Sequence, residues 1–281
     1  MGRQAKTVER LRAAIEALSE HNPMTVRQVY YQLVSRQVIE NTRTQYQAVS
    51  NLLVDARKTG EIPWTWIEDR LRRPRTVGMW SDLSAFAETA RRSYRRDVWA
   101  TQPQYVEVWL EKDALSGIFE DVLSPYGVTL NVGRGFDGWD SIRNAAARYN
   151  AAARYNGRKR RTTVLYFGDF DPSGEDMVRS LRERLYFFNI SPKVIKCALT
   201  KDDIERYQLP PDFAKKTDTR AAKFIARHGD VSVELDALPA SVLRDRLTTE
   251  VEKRLDLNAI AKVREREAVE IKRLVALLSA A

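Results

Sequence analysis

The 281-residue chain carries 47 Lys and Arg against 38 Asp and Glu, a net charge of +9, with 43% hydrophobic residues, one Cys and two His. That length admits two domains with ordinary cores. Cys197, His21 and His228 are too few for a disulfide framework or a Cys/His zinc site. With no apolar run of membrane-span length and no signal-peptide pattern, the expected setting is cytoplasmic and nucleoid-associated, with no membrane partner.

Val8, Leu11, Ala14, Ile15 and Leu18 follow helical spacing, and His21-Asn22-Pro23 ends that element. Thr25 is an N-cap for a second helix over Val26–Ser35. A third follows Asn41-Thr42 and runs through Tyr46, Val49, Leu52, Leu53 and Ala56 to Gly60. Glu61–Ile67 then alternates, which predicts a short β-ribbon with Ile62, Trp64 and Trp66 or Ile67 packing back. Three helices and a ribbon describe a winged helix-turn-helix over residues 1–75, its third helix suited to a major groove. A three-helix interaction module is the alternative.

The second helix has an apolar stripe of Val26, Val29, Tyr30, Leu33 and Val34. Tyr31 lies about 100° off it and is expected to be exposed, with Arg27 one turn earlier on the same side. A phenol beside a guanidinium can hold a phosphate against a nucleophile, the cation favouring the phenolate. A surface stack is the plainer use of the same pair.

Residues 1–100 hold 17 Lys and Arg against 11 Asp and Glu, a net of +6. Arg70, Arg72, Arg73 and Arg75 form one cluster, Arg91, Arg92, Arg95 and Arg96 a second, and Arg158-Lys159-Arg160-Arg161 a third. Together they predict a nucleic-acid partner held by its phosphate backbone, with Arg43, Arg57, Arg72 and Arg73 as contact candidates. Residues 76–103 read as a basic linker.

The run Tyr105–Leu110 is a strand ending in Glu111-Lys112-Asp113, followed by a helix carrying Leu115, Ile118, Phe119, Val122 and Leu123. Thr163–Phe167 is a second strand, ending in Gly168-Asp169-Phe170-Asp171-Pro172-Ser173-Gly174. A side-chain period of two presents Asp169 and Asp171 to one side, and Pro172 and Gly174 break the strand before a helix near Glu175. If the two strands neighbour one another in a parallel sheet, Glu111, Asp169 and Asp171 converge. Three carboxylates tolerate that only around a cation, Mg²⁺ or Mn²⁺ for hard oxygen donors.

Cys197, within Val194–Leu199, reads as a small core residue. Asp218, Glu234 and Asp236 read as structural. Helical periodicity begins at Ser241, and a charged final helix at about Val263.

Arg27-Gln28-Val29-Tyr30-Tyr31, Leu110-Glu111-Lys112-Asp113 and Asp169-Phe170-Asp171-Pro172-Ser173-Gly174 together resemble the A subunit of topoisomerase VI and its relative, the meiotic double-strand-break transesterase. Gly133-Arg134-Gly135-Phe136-Asp137 with Arg143 is similar to the Gly-containing loop and Arg of that family, which implies Arg134 and Arg143 as further contacts to a double-stranded DNA partner. The resemblance covers roughly residues 20–200. It implies an α/β fold, a winged helix followed by a Toprim domain over 104–200, with 201–281 as a mostly helical extension. It implies Tyr31 as nucleophile with Arg27, and Glu111, Asp169 and Asp171 as metal ligands. The implied reaction is Mg²⁺-dependent double-strand cleavage through a 5′-phosphotyrosyl link. A homodimer is implied, the tyrosine and metal site of one centre coming from different subunits. Gln28 stands where the family has an acid. The chain starts almost at the winged helix, so the leader that engages an ATPase B-type subunit is expected to be largely absent, and cleavage is expected more firmly than strand passage. A Toprim nuclease acting through water is the rival reading, and a non-catalytic DNA-binding module the third.

Overall fold

The computed structural model describes residues 5–67, 77–133, 138–154, 160–211 and 220–279. Arg70, Arg72, Arg73, Arg75, Arg134, Gly135, Phe136, Asp137, Arg158, Lys159 and Asp218 lie outside them.

Three helices open the chain: α1 (Ala5–Glu20), α2 (Val26–Ser35) and α3 (Arg43–Lys58). A capping box sets the start of α2: Thr25 Oγ1 accepts from the Gln28 amide, and Gln28 Oε1 accepts from the Thr25 amide at 2.8 Å. Gln28 therefore serves the helix end. Thr42 caps α3 in the same sense, accepting from the Gln45 amide. Leu11, Leu18, Val29, Leu33, Val49 and Leu53 close the core between the three.

A turn takes the place of the expected ribbon. Pro63 leads into a 3-10 turn, Trp64–Trp66, and Ile67 makes one isolated parallel bridge to Met24. Ile62 and Ile67 pack inward, whereas Trp64 is 60% exposed under the Arg57 guanidinium, 4.9 Å from its ring centre. Pro63 breaks the alternation, starting the turn where a paired strand would need its N–H. The segment expected as a linker also has structure: α4 (Leu83–Ser93) packs on the last helix, α11 (Leu257–Ser279). The Tyr94 hydroxyl donates to Glu270 and the Arg96 amide to Glu267, each at 2.6 Å.

The remainder is an α/β unit on a four-stranded, all-parallel sheet of order β2-β1-β3-β4. The strands are β1 (Gln104–Leu110), β2 (Thr129–Val132), β3 (Arg161–Phe167) and β4 (Lys193–Ala198). β1 lies beside β3 as expected, Leu110 in register with Phe167. Side chains alternate across it. Val106, Val108 and Leu110 face the cluster holding Leu115, Phe119, Leu243 and Leu247, from α5 (Ser116–Leu123), the turn before it and α10 (Ala240–Glu252). Tyr105 and Trp109 face Ile142, Tyr149, Met177 and Leu181, from α6 (Trp139–Ala153) and α7 (Pro172–Phe187). Helices on both faces are what a parallel sheet requires, because neither face can be left wet. The first cluster also takes in the buried residues of α1–α3, so one apolar core runs from the N-terminal helices into the sheet. Cys197 is buried in it, its thiol pushed up to about 12 mainly by burial.

Two boundaries differ from expectation. Pro172 opens α7 at its first position, where a missing N–H costs nothing, and α11 starts at Leu257 rather than near Val263. Two short helices complete the order, α8 (Lys201–Tyr207) and α9 (Ala221–His228).

Candidate active site at the carboxyl ends of the central strands

From the β1/β3 pair the neighbouring strands lie on opposite sides, β2 beyond β1 and β4 beyond β3. Such a switch point leaves a crevice at the carboxyl ends of the central strands, where open α/β sheets place ligands. Glu111 and Asp169 stand there. The Glu111 amide donates to Phe167 O at 2.9 Å, and its Oε2 accepts from the Tyr166 hydroxyl (2.9 Å) and the Asp169 amide (3.1 Å). Burial, then the Asp169 charge, hold the Glu111 carboxyl above the usual carboxylate range against those two donors.

Gly168 makes this packing feasible. A Cβ there would overlap the Tyr166 hydroxyl and stand 2.5 Å from Glu111 Oε2. Gly168→Ala should cost about 1–3 kcal/mol, the usual range for overpacking, read as a lower urea midpoint. A change under about 0.5 kcal/mol would show that the Glu111 carboxylate is not held against this backbone.

β3 ends at Phe167, before either acid, so the strand period does not set how Asp169 and Asp171 are presented. Asp169 is buried: Oδ1 accepts from the Leu235 amide at 2.8 Å and Oδ2 pairs with Lys112 Nζ at 2.9 Å. Burial raises its pKa against both partners. Asp171 instead caps α7, its Oδ1 accepting from the Gly174 amide at 2.6 Å. Gly174 is held close, since a Cβ there would run into the Asp169 carbonyl.

Among the described residues no three carboxylate, imidazole or thiolate groups stand close enough to share one metal ion. In kind, the donors suit a hard cation. Glu111 is electrostatically raised by both Asp169 and Asp171, and positive charge between them would relieve that repulsion. Lys112 supplies such charge on one side. Burial lowers its pKa, but Asp169, Glu234 and Asp236 outweigh this and raise it overall.

Tyr31 is the largest departure from expectation: it is 7% exposed. The 3-10 turn Leu235–Ala237, remote in sequence, packs against α2 and covers the face that the helical wheel leaves open. The Glu234 carboxylate acts on the Tyr31 phenol and raises its pKa. Arg27 pairs with Glu234 (2.7 Å) and Asp236 (3.4 Å). The expected role of Arg27 is to favour the phenolate. Burial and Glu234 dominate instead, and the phenol proton is held more tightly than in a free tyrosine. Asp236 has no exposed side-chain surface, and neither carboxylate oxygen has a hydrogen-bond partner. Burial pushes it up to about 6, with Lys112 and Arg27 acting in the opposite direction.

Arg27, Tyr31, Glu111, Lys112, Asp169, Glu234 and Asp236 thus form one charge cluster within a single chain. Lys112 joins its halves, reaching Asp169 at 2.9 Å and Glu234 at 3.5 Å. Glu234 and Asp236, structural by their sequence alone, are part of the site. The available signal is an acid flanked on both sides by apolar residues, Leu235-Asp236-Ala237.

A second group that sequence reasoning misses is Glu107, fully buried on β1. It accepts from the Tyr105 and Tyr149 hydroxyls (3.0 and 2.9 Å), Trp109 Nε1 (3.1 Å), Asn131 Nδ2 and both the Nε and a terminal nitrogen of Arg148. Burial and the Glu107 charge push the Tyr105 phenol up to about 12.

Of the predicted DNA contacts, Arg43 is exposed at the start of α3, Arg57 covers Trp64, and Arg143 is exposed on α6. Two of the arginine clusters are partly engaged within the chain. Arg91 and Arg92 pair with Glu88, Arg96 with Glu270, and buried Arg160 donates to Trp99 O and Ala100 O. No helix among the described residues is long and apolar enough to cross a membrane. Comparison with protein-family models, curated proteins and solved structures finds no match to this chain.

Proposed function

We propose that the protein cleaves double-stranded DNA by tyrosine transesterification. The observation that supports this most is that α2 brings Arg27 and Tyr31 onto the same charge cluster as Glu111 and Asp169 at the switch-point crevice. Tyr31 is the nucleophile. Glu234, whose charge already acts on the phenol, takes its proton. The phenolate oxygen forms a bond to phosphorus, and the bond from phosphorus to the sugar 3′ oxygen breaks. That oxygen takes a proton from water, and the 5′ end stays on Tyr31. Arg27 and Lys112 offset the charge that grows on the phosphate oxygens. Holding Mg²⁺ or Mn²⁺ would require Glu111, Asp169 and Asp171 to draw closer together than they stand here, and the bound ion would supply further phosphate neutralisation.

Each centre is assembled within one chain in this arrangement, and two copies would cut the two strands, so a homodimer is part of the proposal. An ATPase B-type subunit would be required for strand passage and not for cleavage. Reaction requires the Leu235–Ala237 turn to withdraw from α2, because a phosphate cannot reach a covered Tyr31. That burial is also the one observation favouring the rival, Toprim-like hydrolysis by water with Tyr31 as a packing residue.

Supercoiled plasmid incubated with the protein and Mg²⁺, stopped with detergent and resolved with and without protease, separates the two. Protein-linked ends should fall roughly 10³-fold or more in Tyr31→Phe, as on loss of a covalent nucleophile. Free ends at undiminished rate in Tyr31→Phe would replace transesterification with hydrolysis.

A further inference from the structure

A cleft of roughly 380 Å³ lies between α7 and α9. Pro172, the residue after Asp171, lines one end. Phe170, between the two acids of the motif, packs on Phe224 (ring centres 5.3 Å apart) and His228 (5.2 Å), tying α9 directly to the acid loop. The cleft therefore opens beside the candidate active site without sharing its charged residues.

Its charges are unbalanced. Asp176 is taken by Arg179 at 2.6 Å and Arg220 at 3.5 Å, and Glu175 by Lys196 at 2.6 Å. Lys223 and Arg227 are exposed and line the same cleft, with no carboxylate partner among the described residues. They stand four residues apart on α9, about 6 Å along its axis. That spacing is close to the separation of successive phosphates on one nucleic-acid strand. Like charges at this spacing repel each other on an isolated helix, a penalty that a polyanion in the cleft would remove.

We propose that the α7–α9 cleft is a phosphodiester-backbone site, in which Lys223 and Arg227 hold phosphates flanking the one presented at Asp169 and Asp171. The assignment rests on DNA as the substrate and extends the substrate path beyond the reacting phosphate. Both side chains act as point charges on the backbone, so they set affinity and salt dependence and carry no sequence preference.

The test is fluorescence anisotropy of the full chain with a labelled 20-base-pair duplex between 50 and 200 mM salt. The double variant Lys223→Gln/Arg227→Gln should bind roughly tenfold or more weakly, and the slope of log affinity on log salt should shrink by about 1.8, which is 0.9 for each of two phosphates left unneutralised. Lys223→Arg should restore its share. An unaltered chain that binds duplex, with a double variant of the same affinity and slope, overturns the cleft assignment and leaves the cleavage proposal standing. Reduced binding and slope in the variant, with no protein-linked ends from the unaltered chain, supports the cleft and removes the cleavage proposal. An equal loss of affinity for a poly-glutamate peptide would overturn the assignment in favour of an acidic protein partner.

Discussion

Glu107→Ala is expected to lower stability by roughly 4 kcal/mol, the range found when one partner of a buried ion pair is removed. Glu107 has no exposed surface, and donors from three elements of the α/β unit converge on its carboxylate: Tyr105 and Trp109 of β1, Asn131 of β2, Arg148 and Tyr149 of α6. Removing the acceptor leaves those groups desolvated and opens a cavity beside Tyr149, itself almost wholly buried. Glu107→Gln keeps the volume but turns an amide toward a ring of donors, so it should lose about half as much. Urea unfolding with an unchanged m value is the measurement. A loss below about 1 kcal/mol for the alanine variant would mean that the network is not formed in solution.

Asp236→Asn should act in the opposite direction, and only above acid pH. The carboxyl is raised from 3.8 to about 6, chiefly by burial. The folded state therefore holds this proton more tightly than the unfolded chain does. Its contribution is fully present below about pH 4 and is lost as pH rises through 6. At about 1.4 kcal/mol per pH unit, the loss amounts to roughly 3 kcal/mol by neutral pH. Asn keeps the neutral shape at every pH. The variant should match the unaltered chain near pH 4 and exceed it by roughly 2–3 kcal/mol at pH 7. Glu111 and Asp169 are raised too and Asp203 is lowered, so the difference between the two profiles, not either alone, isolates Asp236. A constant difference across pH 4–7 would sink the assignment.

Much of the framework is legible in the sequence because local rules govern it. Thr25 and Ser35 bound α2 as the capping and periodicity predict, and the apolar runs of β1 and β3 do lie side by side. The features that escape the sequence depend on contacts distant along the chain or on two local signals in competition. Asp171-Pro172 satisfies an N-cap followed by a first-turn proline as well as it satisfies a strand end, and the helix wins. The helical wheel places Tyr31 off the α2 stripe, but nothing near residue 31 announces the turn that covers it. Arg27 looks free to activate a phenol as long as Glu234 and Asp236 are read as scaffold. Glu107 reads as one polar residue in an apolar strand, though an acid on the face it shares with Tyr105 and Trp109 must find donors or forfeit its charge.

Arg27 and Glu234 stand 207 positions apart. Closing so long a loop carries a large chain-entropy cost and cannot precede the two surfaces that it joins. The α1–α3 bundle and the β1/β3 pair rest on contacts far nearer in sequence. The docking of α2 on the Leu235–Ala237 turn is therefore expected late in folding. We expect its reversal to leave the bundle and the sheet folded, so native-state hydrogen exchange should find it among the lower free-energy openings of the molecule. Run backwards, that step of assembly is the motion that the proposed cleavage needs to uncover Tyr31.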